Sequence, residues 1–292
     1  MSTSAEVDNR YGALLLLVAA AIFTADVTVL RFLSADVPFA QIIFFRSLCQ
    51  LVIVALWIAG RRPALFRSSN WRMLIVRGLT SLVCWWLYYA SFQTLDLSLA
   101  TTLTFTTSLF VVVMAPFVLG ERIGPLRAFA TALGFLGVVL ASRATDFSLE
   151  TGVLFGLGSA IAAAALIFQN RVLARTEHTA TIMVWIGMVA TLGTFPAAAA
   201  GWTQVSAGDL ALMVIAGTLA TLGMLLTVEA YRFGEVSALA TFPYARLLFA
   251  LAAGYLFFGE VASARELLGA AVIIVCGLLA TERRRPPAPR VP

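Results

Sequence analysis

Residues Trp85–Ser142 read WWLYYASFQTLDLSLATTLTFTTSLFVVVMAPFVLGERIGPLRAFATALGFLGVVLAS, and Thr227–Thr281 return the pattern as TVEAYRFGEVSALATFPYARLLFALAAGYLFFGEVASARELLGAAVIIVCGLLAT. A single shift of 139 positions, without gaps, sets Asp96 on Glu235, Ser98 on Ser237, Phe105 on Tyr244, Gly120-Glu121 on Gly259-Glu260 and Leu140-Ala141 on Leu279-Ala280. The chain is therefore a duplication, and the apolar runs within each copy identify its solvent.

Hydrophobic residues make up 61% of the 292 positions and charged residues 12%, with a mean hydropathy of +0.93. A water-facing fold of that composition would expose too much apolar surface, so the chain belongs in a bilayer. Apolar runs near 11–30, 39–60, 71–92, 97–119, 126–142, 151–173, 180–200, 209–231, 236–258 and 265–281 each suit a helix crossing hydrocarbon, which takes about 17 to 25 residues. Lipid offers no partner to backbone N–H and C=O groups, and the alternation of barrel strands is absent, so the runs must be helices. The expected fold is an all-α membrane protein of ten transmembrane helices. Its parts are a tail (1–10), a first five-helix repeat (11–142), a linker loop (143–150), a second repeat (151–281) and a basic, proline-rich tail (282–292). Glu6 and Asp8 are wrong for the basic start of a signal peptide.

All twenty basic residues are arginines. Fourteen lie in or beside the tails and the 2–3, 4–5, 6–7 and 8–9 loops, whereas Arg31, Arg143 and Arg265 lie at the other end. Positive residues resist translocation, so both termini are expected in the cytoplasm, with the protein in the cytoplasmic (inner) membrane. The early part of each unit also repeats, more weakly, with Gly12 on Gly152 and Arg31 on Arg171. Because each unit holds an odd number of helices, the second copy is expected to enter the membrane upside down. Inverted repeats of this kind rock about a site near the midplane.

Two stretches resemble the paired modules of the EamA-type transporters of the drug/metabolite transporter (DMT) superfamily. They are Leu95–Ile123, with its Leu-x-Leu-x-Leu-Ala entry and Leu-Gly-Glu-Arg exit, and the second copy ending Phe257-Phe258-Gly259-Glu260. The resemblance runs from about Tyr11 to Ala280. It implies a secondary transporter of a small metabolite, with spans 1 to 4 and 6 to 9 around the cavity and spans 5 and 10 bracing it. Such modules commonly carry a proline about twelve residues before Gly-Glu. Here Ser108 and Leu247 stand there, so bends are expected instead at Pro116 and Pro243.

Charge inside a span is costly and commonly faces a cavity. Arg246 sits about ten residues from either end of the ninth span and is read as the deepest charge, with a fork of donors suited to a carboxylate or phosphate. Asp26 and Arg46 fall in the outer third and read either as a latch between the first two spans or as a coupling and gating pair. Glu229 and Arg232 form an expected i, i+3 pair. On the third span, Trp85, Tyr88, Tyr89 and Phe92 share one face; a planar substrate can stack there, though an interfacial belt has the same composition. Thr104 and Ser108, within a dense row of hydroxyls, and Tyr244 complete the expected substrate-binding set. Glu121 and Glu260 read as structural acids capping the fifth and tenth spans or pairing with Arg122 or Arg265.

Cys49, Cys84 and Cys276 lie at unrelated depths and give neither a disulfide framework nor a metal motif. Gly158-Ser159 lacks a base beside it, the sole histidine, His178, being in a loop; and without lysine there is no phosphate-cradling loop of the ATPase kind. The chain is therefore expected to be no enzyme, to need no cofactor or metal and to bind no nucleic acid. Its partners are the lipid bilayer and a small-molecule substrate: an amino acid or ring-bearing derivative such as an aromatic amino acid, S-adenosylmethionine or a flavin. A membrane scaffold or lipid-handling protein of the same fold is the alternative. Oligomeric state is not legible, since Gly152-x-x-x-Gly156 permits close contact within or between chains.

Overall fold

A computed structural model describes residues 8–34, 36–95, 103–121, 123–142, 151–259 and 261–280. Ten helical spans account for nearly all of them, and no strand occurs among the described residues. They are α1 (Asn9–Leu30), α2 (Phe39–Arg61), α3 (Trp71–Thr94), α4 (Leu103–Leu119), α5 (Pro125–Ser142), α6 (Thr151–Leu173), α7 (Thr179–Ala200), α8 (Ala207–Phe233), α9 (Val236–Phe258) and α10 (Ala264–Ala280). Six of them, α1, α2, α6, α7, α8 and α9, are long and apolar enough to cross a membrane, and α4 and α5 are shorter apolar helices. Outward faces carry bare apolar side chains such as Leu56, Phe117, Leu192 and Leu256, as expected where lipid is the solvent.

Local chemistry sets the ends. The Asp8 carboxylate accepts the Arg10 and Tyr11 N–H groups and starts α1. Gly120 (φ 67°) and Gly259 (φ 66°) end α4 and α9 in the left-handed conformation that a side chain disfavours, and they are equivalent positions of the duplication. Both helices are also interrupted. α4 turns at Thr106, whose Oγ1 donates back to the Leu103 carbonyl at 2.6 Å; α9 turns at Ala240–Thr241 and passes through a 3-10 turn, Phe242–Tyr244, before the segment Ala245–Phe258. The expected bend at Pro243 is present. At Pro116 the helix is not interrupted: α4 continues past it to its cap one turn later, and the interruption lies at Thr106.

The main pairings are α1 with α8, α3 with α6, α2 with α7, and α5 with α10; α2 also packs on α8, α3 on α7, α1 on α9 and α4 on α6. Small residues allow close approach. A Cβ at Gly187 of α7 would meet the Leu51 backbone of α2 at 3.0 Å, and one at Gly156 of α6 would meet Leu103 at 2.6 Å, so Gly156 serves contact within the chain.

The start of α1 and the end of α6 lie together at one end of the bundle. The Asn9 Oδ1 accepts the Glu235 N–H at 2.8 Å, while Arg171 donates to the Tyr231 and Arg232 carbonyls at 2.8 and 2.7 Å. α6 therefore runs antiparallel to α1.

Candidate functional site

The interruptions in α4 and α9 open a cavity of about 200 Å³ between α4, α6, α8 and α9. Thr104, Thr107, Ser108, Tyr231, Pro243 and Arg246 line it, with apolar walls from Phe105, Val111, Ala163, Ile167 and Ala240. Helical segments Thr107–Leu119 and Ala245–Phe258 both begin here, directing the positive ends of their dipoles at the same space.

Arg246 stands in the first turn of the second segment. Its side chain is exposed and contributes to the lining of the cavity. Its guanidinium lies 5.9 Å from the Phe23 ring centroid and makes no hydrogen bond or ion pair with any described residue. Five donors without an acceptor among the described residues, on a largely apolar cavity, are arranged to take one from a ligand. Thr107 Oγ1, also on the cavity, is buried and lacks a partner.

Beside Arg246 lies a second charged group. Arg46 Nη2 meets Asp26 Oδ2 at 2.5 Å, Asp26 being fully buried and Arg46 28% exposed. Both act electrostatically on Arg246, as does Tyr88. Asp26 Oδ1 has no hydrogen-bond partner.

The structure thus groups Arg246, Thr104 and Ser108 at one cavity, with Tyr88, Asp26 and Arg46 adjoining. Trp85 is half-buried on α3 and is not among the cavity's lining residues. Tyr244 is turned away: fully buried, it donates to the Thr131 carbonyl at 3.3 Å and packs against Gly134 of α5 and Phe105. It packs between α9 and α5 and is not among the cavity's lining residues. The side chain of Tyr89 and the whole of Glu260 lie outside the described residues.

Glu121 corrects another expectation. Its oxygens accept the Val236 N–H at 3.0 Å and the Ser237 N–H at 2.9 Å, capping α9 and not α5. The left-handed turn at Gly120 redirects the carboxylate across to the other half of the chain. Arg127 meets Glu235 at 2.6 Å nearby, and Glu229 pairs with Arg232 at 3.4 Å as expected.

Sequence reasoning missed Arg77. It is 1% exposed on α3, its Nε donates to Asn170 Oδ1 at 2.9 Å and its Nη1 to Ser81 Oγ at 2.5 Å, and it has no ion pair with a described carboxylate. The available signal was that Arg77, like Arg46 and Arg246, is an arginine away from the loops. Ser159 donates to the Cys84 carbonyl at 2.9 Å, a packing bond and not an activated nucleophile.

A bundle of apolar helices with a largely apolar cavity that carries an arginine and several hydroxyls has the form of a solute carrier. The model of the EamA-like transporter family matches residues 10–143 and 150–281, and the chain belongs to that family. Membership makes it an integral membrane protein that transports small molecules and is not an enzyme, against the scaffold alternative. The chain is 27% identical to the S-adenosylmethionine uptake transporter of Rickettsia bellii (84% of each chain covered). It is 27% identical to the pseudopaline exporter of Pseudomonas aeruginosa (91% of this chain, 94% of the exporter) and 31% identical to the riboflavin transporter of Rhizobium johnstonii (64% and 63%). A crystal structure at 17% identity superposes with a TM-score of 0.78, covering 92% of this chain and 96% of its own, which shows a shared fold.

Proposed function

We propose that the protein is a secondary active transporter working by alternating access, coupled to protons or to exchange, and that it holds a carboxylate-bearing metabolite at Arg246. The observation that carries this reading is the unpaired guanidinium facing a cavity at the breaks of two helices. An amino acid or a ring-bearing derivative, such as an aromatic amino acid, S-adenosylmethionine or a flavin, suits the set. Arg246 takes the acid and Thr104 and Ser108 line the same cavity; Tyr88 and Trp85 of α3, with Tyr89 by its spacing in the sequence, are the aromatic candidates for stacking. The relatives carry S-adenosylmethionine and riboflavin by their names, which is compatible with a ring-bearing cargo.

The moving parts are two inverted five-helix repeats, 11–142 and 151–281. Their support is the exchange in packing: replacing every helix by the one five places away turns α1 with α8 into α6 with α3, turns α1 with α9 into α6 with α4, and returns α2 with α7 and α5 with α10 to themselves. Asp26 and Arg46 serve as the coupling or gating pair, and Glu121 with Glu260 as structural acids. The arginine distribution argues for cytoplasmic termini and the inner membrane. The test is flux of labelled metabolites into proteoliposomes. Arg246→Ala should abolish transport of a carboxylate-bearing substrate in a protein that remains folded; undiminished flux would refute the assignment.

A further inference from the structure

We infer that the cargo crosses as a net anion, a conclusion that rests on the transport reading and narrows its substrate. The charges far inside the bundle do not balance. Of the twenty arginines, Arg46, Arg77 and Arg246 are the three remote from the loops, and one acid, Asp26, stands against them among the described residues. Asp26 is already engaged by Arg46. Arg77 has only the neutral partners Asn170 and Ser81. Arg246 has none.

Backbone dipoles act in the same direction. The segments beginning at Thr107 and at Ala245 both present their positive ends to the cavity, and the unpartnered Thr107 hydroxyl offers a further donor. No described carboxylate lines the cavity. A carboxylate entering this pocket therefore meets Arg246, a free hydroxyl and two helix starts. An ammonium or sulfonium group meets no described carboxylate on the cavity lining, the adjoining Asp26 already holding Arg46 through Oδ2, and it is repelled by Arg246, which in a medium that screens poorly acts as strong selection.

The cargo is thus a carboxylate or phosphate ester lacking a compensating cation, and its movement carries charge. An inside-negative potential drives such an anion outward, by about 50-fold in its equilibrium distribution for each unit charge at 100 mV.

The test uses the full chain and three probes of one shape: phenylpyruvate (anion), phenylalanine (zwitterion) and phenylalanine amide (cation). Thermal stabilisation in detergent reads binding, and flux in proteoliposomes under a potassium-valinomycin potential reads transport. The expected order is phenylpyruvate, then phenylalanine weaker by about tenfold or more, then the amide without effect, with phenylpyruvate efflux accelerated by an inside-negative potential. Equal or tighter binding of phenylalanine or its amide, lost in Arg246→Ala, overturns the anion inference and leaves the transport site standing. Binding and flux that are absent for all three probes, or unchanged in Arg246→Ala, sink the site itself and the inference with it.

Discussion

Arg246 and Arg77 are both arginines set within helical spans, and they differ in what their donors do. Arg77 spends its Nε and Nη1 on Asn170 and Ser81 and is 1% exposed, whereas Arg246 keeps its guanidinium free and turned to a cavity. Depth in the membrane therefore does not identify a binding residue; an unmet hydrogen-bonding capacity at an accessible surface does. The comparison breaks most directly at Arg246. Removing it should lower flux of an anionic substrate by about 100-fold or more, the loss of a charge-assisted, bidentate contact. The melting temperature in detergent should hold or rise, since an unpaired charge disappears. Undiminished flux would put Arg246 in the same class as Arg77.

The converse change sharpens the contrast. Arg77→Met keeps the volume without the charge, and flux should stay within a few-fold of the wild type. Asn170→Ala should instead cost about 1–3 kcal/mol of stability by orphaning a buried guanidinium donor. Thermal melts and flux measured on the same preparations decide it: a folded Arg77→Met protein that has lost transport as fully as Arg246→Ala would erase the distinction.

A smaller effect is expected at the end of the bundle, where Glu121 holds the start of α9. Glu121→Ala leaves two backbone N–H groups without their charged acceptor and should cost about 1–2 kcal/mol, with Glu121→Gln, which keeps one acceptor oxygen, intermediate. Melting curves of the two variants rank them. Equal melting of all three proteins would mean that water serves the α9 start as well as the carboxylate does.

The duplication and the ten runs were readable because each depends only on position along the chain. What escaped depends on rotation about a helix axis. In lipid both faces of a span are apolar, so the periodicity that separates core from surface in water does not tell which side of α9 holds Tyr244. Its turn toward Gly134 and Thr131 follows from the break before it. The break at Thr106 carries no proline and arises from one hydroxyl reaching the Leu103 carbonyl. Glu121 was read against its neighbours in sequence, while its partners, Val236 and Ser237, are more than a hundred residues away. Arg77, six residues into α3, resembles an interfacial arginine until Asn170 of α6 is seen to enclose it.

His178 supplies the smallest effect and the one set by pH. It immediately precedes α7, where its Nδ1 accepts the Ala180 N–H at 3.2 Å and its ring stacks on Trp57 with centroids 6.3 Å apart. Burial chiefly, then the charge of Arg232 and more weakly that of Arg62, holds the imidazole below its ordinary 6.5, against an upward pull from Glu229. Only a neutral ring can accept the Ala180 proton. Because the folded state binds this proton less readily than the unfolded chain, the contribution is complete above the unfolded value of 6.5 and is lost as pH falls through it toward the lower folded value. Between about pH 7.5 and pH 5, the wild type should therefore lose slightly more stability than His178→Asn, whose side-chain oxygen caps without titrating, solvent screening at this exposed ring keeping the difference small. Parallel melting curves for the two proteins across that range would show that the cap does not depend on the proton.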